Sequence, residues 1–357
     1  MRYRTVELMA RQDNGAAGTK IVDIDTNQII SRLKVIGRWT NHTTAVIADH
    51  PAANITKIEL CDGSDVLYSA SGFELQGMEF FDTGKPAYTA VNFLDSNVQA
   101  TTMCLNFGHE LYDPRLAFDP KRFNNPELKI TWDEDVADTS ATANTIEVWA
   151  DTFEDNPPHP TGFCMVKEIK EYAQVAGANE YTDLPTDYPY KQLYVNALAK
   201  DYDFTDKIDE IELDVNTKER VPVNATGQYF ERSTQQQYGL CQEKWYSGAE
   251  TDTVQIYLMP TDSGTIYGSV RQLDDTFSGR HVVGNQYDIC GEDDAAFKGM
   301  AMGNFPHGTC PLLQDNGPDK LDYITPKVND HLKLRLKAGA ASGTGNVQIT
   351  ARQIRSY

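Results

Sequence analysis

The sequence has 357 residues, and its 52 Asp and Glu outnumber its 32 Lys and Arg, so the formal net charge is −20. Hydrophobic residues make up 40% and charged residues 24%, a globular composition that excludes a disordered or collagen-like chain. The acidic balance argues against general nucleic-acid binding, because affinity for the phosphate backbone comes from clustered Lys and Arg. The sequence has no run of about 18 apolar residues and no apolar signal-peptide core, so we expect a soluble chain made inside the cell.

Short stretches in which apolar and polar residues alternate recur along the whole chain. This alternation predicts half-buried strands at residues 33–36, 55–60, 128–132, 146–149, 208–213, 254–258 and 332–336. Turn-rich segments such as 61–65 and 338–345 separate them. Helices are predicted at three places only, namely residues 119–125, part of 165–175 and 293–300. Many short strands joined by turns favour a sandwich or barrel over alternating strand–helix units.

The chain contains an internal repeat. An offset of 160 residues aligns residues 6–36 with residues 166–196 without a gap and matches pairs such as Val6 with Val166 and Leu33 with Leu193. Later elements follow in the same order, with 55–60 matching 208–213, 120–130 matching 326–334, and 145–150 matching 347–354. We therefore predict two similar β-domains, residues 1–155 and 163–357, joined by a Pro-rich linker at 156–162.

The second half is longer in its middle. Leu60 and Leu128 are 68 residues apart, whereas the matching Leu213 and Leu332 are 119 apart. The surplus of about 51 residues falls around 228–318, and a sandwich tolerates such growth in its surface loops. We predict an enlarged loop region there, at the tip of the second domain.

Charge is distributed unevenly along the chain. Residues 1–11 carry a balance of +2 and residues 327–357 a balance of +5, so the remaining residues carry −27. Two interpretations remain open. Either the basic ends of the chain face lipid phosphates or a genome, or these Lys and Arg simply flank exposed strands.

No catalytic pattern is found. The sequence lacks the nucleophile-elbow, phosphate-loop, zinc-protease and dinucleotide fingerprints. The six cysteines lie at least 20 residues apart, which excludes a short-spaced zinc site, so we expect free thiols while disulfide pairing stays possible. We expect each histidine to be a surface or loop residue: His42, His50, His109, His159, His281, His307 and His331. We assign no catalytic, cofactor-binding or metal residue.

Several clusters have both a functional and a structural interpretation. Acidic runs could gather calcium at a subunit contact or remain solvated loops, at residues 133–135, 274–275 and 292–294. Asp151, Glu154 and Asp155 could form a carboxylate pair, although nothing defines a cleft around them. Aromatic side chains could bind sugar on an outer tip or pack in strand cores: Trp245, Tyr246, Tyr257 and Tyr267. Three glycosylation sequons, at Asn41, Asn54 and Asn224, are expected to be incidental.

A tandem of two sandwiches, with Pro-Lys-Arg-Phe at 120–123 before the penultimate strand pair, resembles the double jelly-roll major capsid proteins of tailless icosahedral viruses with an internal membrane, the corticovirus and tectivirus lineage. Recurring segments carry the resemblance: 23–25 with 33–35, 183–185 with 192–195, and 55–63 with 208–213. The likeness covers nearly the whole chain, most clearly 20–150 and 180–215, but not 228–318.

The resemblance implies an all-β fold of two tandem eight-stranded jelly rolls with short helices. It implies a structural subunit, not an enzyme and without a cofactor, that trimerises into pseudo-hexagonal capsomers tiling a shell around a membrane. The expected partners are further copies, minor capsid or vertex proteins and, through the basic termini, membrane lipids, but no sequence-specific nucleic acid. We expect a virion protein of a bacterial virus, synthesised in the host cytoplasm.

Two alternatives stay open at this point. One is a secreted-type double jelly-roll carbohydrate-binding protein or glycan amidase, which predicts a signal peptide and a polar aromatic cleft. The other is a minor capsid or vertex protein, which predicts one barrel and a fibrous extension.

Overall fold

The structure is a computed structural model. It describes residues 2–41, 48–137, 143–155, 157–247, 253–269, 277–291, 297–313, 324–327, 330–340 and 345–357. In this part of the chain, the helices are all too short or too polar to span a membrane.

The described residues of the first half form nine strands and one α-helix, besides two 3₁₀ turns. In chain order they are β1 (Tyr3–Asn14), β2 (Ala17–Asp23), β3 (Ile30–Thr40), β4 (Ile55–Asp62), β5 (Asp65–Ala70), α1 (Gly72–Thr83), β6 (Thr89–Asn92), β7 (Val98–Asn106), β8 (Pro126–Asp133) and β9 (Asn144–Phe153).

These strands build a jelly roll, called here the first barrel. One sheet has the order β1-β9-β3-β7 and the facing sheet the order β2-β8-β4-β5, with antiparallel pairing throughout. Leu33 and Val35 of β3 and Ile58 and Leu60 of β4 point between the sheets and are fully buried. The alternation in the sequence therefore predicted these strands and their inward faces correctly.

The second half forms the remaining elements. They are β10 (Gly162–Ala173), β11 (Asn179–Leu184), β12 (Tyr190–Asn196), α2 (Phe204–Lys207), β13 (Ile208–Val215), β14 (Arg220–Thr226), α3 (Gly227–Tyr238), β15 (Cys241–Ser247), β16 (Val254–Tyr257), β17 (Asp262–Ser269), β18 (Phe277–Val283), β19 (Gln286–Gly291), β20 (Phe297–Asn304), β21 (Thr309–Pro311), β22 (Leu332–Ala338) and β23 (Asn346–Ser356).

Eight of these strands repeat the jelly roll strand for strand and form the second barrel. Its sheets have the orders β10-β23-β12-β21 and β11-β22-β13-β14. The segments that the sequence repeat aligns occupy equivalent positions, since β1, β4, β8 and β9 correspond to β10, β13, β22 and β23. The division into domains 1–155 and 163–357 with a linker at 156–162 stays a prediction, and strand β10 begins at Gly162, the last residue of that linker.

The extra length of the second half forms an insertion between α3 and β21, which the structure describes at residues 241–247, 253–269, 277–291 and 297–304. Three of its strands, β15-β20-β17, extend a sheet of the first barrel, and the other three, β16-β19-β18, form a separate small sheet. Trp245, Ile256, Tyr287 and Phe297 pack between them as a separate core. Gly299 is required there, because a Cβ atom at this position would lie 2.4 Å from Trp245 Cζ2.

Two parallel strand pairs join the parts. β5 of the first barrel pairs with β10 of the second, through Tyr68 and Val166. β6 pairs with β15, through Val91 and Trp245. One sheet of the first barrel therefore continues into the insertion as an eight-stranded sheet, β1-β9-β3-β7-β6-β15-β20-β17.

Tyr3 and Tyr357 lie at one end of the barrels, and the insertion lies at the other. β1 begins at Tyr3 opposite Phe153. Tyr357 donates its hydroxyl hydrogen to the carbonyl of Ala117, 2.6 Å away, beside the start of β3. The insertion continues from β6, which pairs with β7 at Thr101, beside the far end of β3.

The predicted helices are the main error of the sequence analysis. Residues 120–122 form only a 3₁₀ turn, residues 165–173 belong to strand β10, and residues 297–300 belong to strand β20, while 293–296 lie outside the described residues. The first five residues of β10 are all buried, so the strand lacks the alternation that would have identified it. The helices α1 and α3 were missed.

Candidate functional site at the contact between the two barrels

Helix α1 lies between the two barrels and is buried on nearly every side. The Ser71 hydroxyl accepts a hydrogen bond from the Glu74 backbone, and the Glu74 carboxylate accepts one from the Ser71 backbone, a capping box that fixes the helix start. Leu75 and Phe80 join the core of the first barrel. Gly77 packs on the second barrel so closely that a Cβ atom there would lie 2.4 Å from Thr309 Oγ1.

The contact between the barrels contains a buried ion pair. Asp82, at the end of α1, binds Arg352 of β23 and also lies 3.3 Å from Lys191 of β12. Burial by itself would raise the pKa of Asp82, but Arg352 and Lys191 outweigh it and lower the pKa to about 2. The Arg352 side chain is 1% exposed and donates also to the carbonyls of Asn106 and Gly108, at 3.0 and 3.1 Å. Both charges are therefore compensated inside the protein.

Two histidines extend the polar part of this contact towards the insertion. His50 Nδ1 accepts from the Ala52 backbone, so its Nε2–H donates to the Glu243 carboxylate, 3.0 Å away on β15. His307 Nε2 lies 2.8 Å from Gln76 Oε1 of α1, and the two imidazole rings are 4.6 Å apart. Burial, and then the neighbouring His50, lower the pKa of His307 well below its usual value. A neutral His307 thus helps to join α1 to the second barrel.

The histidines were expected at the surface or in loops. His50 and His109 do lie in loops and His307 in a 3₁₀ turn, but none of these three is at the surface. His50, His109 and His307 are buried, and burial followed by the charge of Lys191 lowers the pKa of His109 to about 4. His281 is half-buried, whereas His159 and His331 are exposed as expected. His42 lies outside the described residues. The spacing of His50 and His307 along the chain does not predict that their side chains are in contact.

The opening strands of the two barrels, β1 and β10, differ in burial. Residues 162–166 of β10 are fully buried where they meet the first barrel, and they include Phe163 and Met165. The residues aligned with these two by the 160-residue offset are Tyr3 and Thr5 of β1, which are exposed, Tyr3 at 49%. β1 is an edge of its sheet, and so is β14, the strand that corresponds to β5. The pairing that β5 and β10 make within the chain is thus not made by β14 and β1.

The helices α1 and α3 show the same difference. Each follows the fifth strand of its barrel, and the hydroxyl of Thr226 caps α3 as Ser71 caps α1. Yet α3 buries only Gly227, Phe230 and Thr234, and Tyr229 is 55% exposed. The second barrel therefore presents, open to solvent, the surfaces that the first barrel uses to bind the second.

The basic residues near the ends of the chain are mostly paired with carboxylates. The ion pairs are Arg2–Asp155 (3.2 Å), Arg4–Glu154 (3.1 Å), Lys333–Asp183 (3.6 Å), Arg335–Glu212 (2.9 Å), Lys337–Asp209 (2.6 Å) and Arg355–Asp65 (2.7 Å). The positive balance of these segments is therefore matched by acidic neighbours in adjacent strands. This pairing favours the interpretation that the cations flank exposed strands.

The carboxylates that the sequence analysis singled out form ion pairs or hydrogen bonds. Asp151 lies 2.9 Å from Arg32 and 3.0 Å from Lys34, and does not pair with Glu154 or Asp155. In the run 133–135, Glu134 is buried and binds Asn144. The runs at 274–275 and 292–294 lie outside the described residues. Within the described ranges, no three His, Cys, Asp or Glu side chains are grouped to hold a metal ion.

The remaining candidates divide between core and surface. Five cysteines are free and buried, as expected for thiols in a packed core, namely Cys61, Cys104, Cys164, Cys241 and Cys310, whereas Cys290 is half-buried. Trp245 and Tyr257 are buried, whereas Tyr246 and Tyr267 are 41% and 56% exposed. Two of the three sequon asparagines, Asn41 and Asn54, are buried and so inaccessible to glycosylation in the folded protein.

The fold is similar to those of several solved viral coat proteins. The STIV major capsid protein, from Sulfolobus turreted icosahedral virus, superposes with a TM-score of 0.58 at 13% identity over 99% of this chain and 97% of that one. The major capsid protein of bacteriophage PM2 gives 0.54 at 10% identity over 99% and 98%. The PBCV-1 virus capsid gives 0.51 at 14% identity over 99% and 93%.

No protein-family model matches the sequence, and no curated protein is significantly similar to it. The likeness to the solved structures extends over both barrels and the insertion. At these identities it concerns the fold, which was predicted correctly: the chain is a double jelly roll of the kind found in these capsid proteins.

Proposed function

We propose that the protein is a major capsid protein, a structural subunit without catalytic activity that trimerises into pseudo-hexagonal capsomers of an icosahedral shell. One observation carries the proposal. The two barrels are built alike and bind each other within the chain. The equivalents of the two binding surfaces remain exposed: α3 with β14 on the second barrel, and β1 on the first. Coverage of nearly the full length of three viral capsid proteins supports it.

The contact between the two barrels within the chain gives the pattern for a contact between copies. In the contact within the chain, β5 and α1 of the first barrel bind β10 and the β12–β23 face of the second. Their counterparts β14 and α3 would bind β1 and the β3–β9 face of the next copy. Such a head-to-tail contact closes into a ring when the rotation permits, and three chains supply six similar barrels.

The contact between copies should be more polar than the contact within the chain. Phe163 and Met165 of β10 correspond to Tyr3 and Thr5 of β1. The outward face of α3 carries mainly amide, hydroxyl and charged side chains: Gln228, Tyr229, Arg232, Gln235 and Gln236. This composition suits a subunit that stays soluble before it assembles.

The ends of the barrels suggest an orientation. We place the end with Tyr3 and Tyr357 towards an internal membrane and the insertion towards the outside, because growth at the outer end leaves lateral packing undisturbed. Lipid phosphates would have to compete with Asp155 and Glu154 for Arg2 and Arg4. The same proposal includes minor capsid or vertex proteins as partners. It also includes a place in the virion, a bacterial host and synthesis in the host cytoplasm.

The test is the mass of the purified protein by light scattering, followed by negative-stain imaging. We expect a particle of about three chains with a six-sided outline. A monodisperse monomer at every concentration, or a monomer that hydrolyses a glycan, would overturn the proposal in favour of the enzyme alternative.

A further inference from the structure

The outer face of the insertion sheet β15-β20-β17 is open to solvent, and we call it the insertion face. Strand alternation directs Trp245, Phe297 and Ile266 inward to the core. The outward positions are Gln242, Lys244 and Tyr246 of β15, Lys298, Met300 and Met302 of β20, and Thr265, Tyr267 and Ser269 of β17. The surface is a flat sheet face and not a cleft.

The two exposed tyrosines stand on either side of the central strand β20. Tyr246 pairs with Lys298, and Lys244 pairs with Met300, which in turn pairs with Tyr267. Because β15 and β17 are two strand spacings apart, the tyrosines are separated by about 10 Å across the sheet. An extended chain of sugar rings can lie across both, one ring on each aromatic face.

The charge of the insertion face indicates what kind of polymer it can bind. None of the nine outward positions carries a carboxylate, although the protein has a net charge of −20. Lys244 and Lys298 are exposed, and neither ammonium group has an ion-pair partner among the residues that the structure describes. The insertion face is therefore a cationic, aromatic surface on a strongly acidic protein.

We infer that the insertion face binds an acidic polysaccharide. Tyr246 and Tyr267 would pack against sugar rings, while Lys244 and Lys298 would bind carboxylate or sulfate groups of the same chain. A protein partner fits less well, because lysine is depleted in the cores of protein–protein interfaces and here lies beside both tyrosines. The flat face suits a polymer, since a small ligand needs an enclosing pocket.

The inference does not depend on the proposed function. It uses only the residues of the insertion face and applies to any protein with this surface. In a shell subunit oriented as proposed above, the face would lie at the outer end, where it could meet a cell-surface polymer.

The test measures binding of the full-length protein to polygalacturonate, to dextran sulfate and to neutral dextran by affinity electrophoresis. The variants are Tyr246→Ala, Tyr267→Ala and the double change Lys244→Gln with Lys298→Gln. Tyr181→Ala is the matched control, because Tyr181 is as exposed as Tyr267, at 56%, on a different sheet. Lys85→Gln, at an exposed site after α1, controls for loss of one positive charge.

We expect binding to at least one acidic polymer and none to dextran. Each tyrosine change should weaken that binding roughly tenfold, the double lysine change at least as much, and the controls should leave it unchanged. Thermal melting of each variant excludes misfolding as the cause.

Three results would overturn the inference. They are no binding to either acidic polymer, binding that the insertion-face variants leave unaltered, and binding to single-stranded DNA in preference to both polysaccharides. A shift in oligomeric mass in the variants without a change in polysaccharide binding would assign the face to a second copy instead.

Discussion

The two barrels are built from equivalent sets of eight strands. The α1–β5 surface of the first barrel is covered within the chain, whereas the equivalent α3–β14 surface of the second barrel is exposed. Helix α1 is buried between the barrels, whereas α3, which follows the corresponding strand, exposes most of its surface. The start of β10 is buried and the start of β1 is exposed. The duplicated fold therefore covers one set of surfaces within the chain and leaves the equivalent set exposed. We call the covered surfaces the permanent contact and the equivalent exposed surfaces the open contact.

The permanent and the open contact differ in the polarity of their side chains. The permanent contact contains apolar side chains and the compensated pair of Asp82 and Arg352. The open contact has Tyr3 and Thr5 in place of Phe163 and Met165. A surface that meets water before assembly has to remain polar, while one that never does can be apolar.

Breaking the permanent contact at its ion pair should have the largest effect. Asp82→Asn leaves Arg352 buried without a counter-charge, which we expect to lower the free energy of unfolding by about 3–5 kcal/mol. Denaturant titration measures this loss. Asp155→Asn is the control, since Asp155 pairs with the exposed Arg2 and should cost at most about 1 kcal/mol. Equal losses in the two variants would contradict the role assigned to Asp82.

A matched pair of truncations compares the two opening strands directly. Met165→Ala should cost about 2–5 kcal/mol, because it leaves a cavity in a fully buried site. Thr5→Ala, at the aligned position of β1, loses a 2.8 Å hydrogen bond to Asp151 and should cost about 1 kcal/mol. Denaturant titration under conditions that keep the protein monomeric measures both. A cost for Thr5→Ala as large as for Met165→Ala would show that β1 is not the open counterpart of β10.

Breaking the open contact should change assembly and not stability. Tyr229→Asp introduces a charge at the exposed face of α3, and we expect it to weaken association by about 2 kcal/mol or more. Mass photometry should then show single chains at concentrations where we expect the unaltered protein to form trimers. Tyr181→Asp, on the outward face of β11, should leave the mass unchanged. Trimers of Tyr229→Asp as stable as those of the control would remove α3 from the interface.

Mild acid should also weaken the permanent contact, with a loss of stability per pH unit that is smaller than the effects of the substitutions above. The pKa of His307 is lowered in the folded protein, so as the pH falls below about 6.5 the unfolded chain binds a proton that the folded protein does not. Stability should therefore fall by at most roughly 1.4 kcal/mol per pH unit from this group. Melting curves between pH 7 and 5 measure the slope, which His307→Gln should reduce and His331→Gln, at an exposed site, should not. An unchanged slope in His307→Gln would exclude His307 as the source.

Much of the fold could be predicted from the sequence because most strands are buried on one face only. Residues 33–36, 55–60 and 332–336 alternate cleanly, and all lie in half-buried strands of the barrels. The prediction failed where burial is two-sided. The start of β10 and nearly all of α1 are covered on every side, so neither shows the period of its structure, although the Ser71–Glu74 capping box was readable.

The contact between the barrels was beyond prediction for a different reason. Asp82 and Arg352, or His50 and His307, are far apart in the sequence and lie in no shared motif. Their proximity follows from how two barrels dock, which local patterns do not encode. The aromatic cluster was predicted only in part, since one-residue alternation sends Trp245 into the core and Tyr246 to the surface.

The parallel pairing of β6 with β15 has a consequence for folding during synthesis. Every strand of the first barrel precedes residue 154, so this barrel can fold while later residues are still being made. The insertion then finds the edge of β6 already formed and adds its strands to it as to a template. The second barrel needs β21, β22 and β23, which follow the insertion, so its closure comes later. Arg352, in β23, then meets Asp82 on a barrel that is already folded, so their ion pair forms only after the second barrel closes.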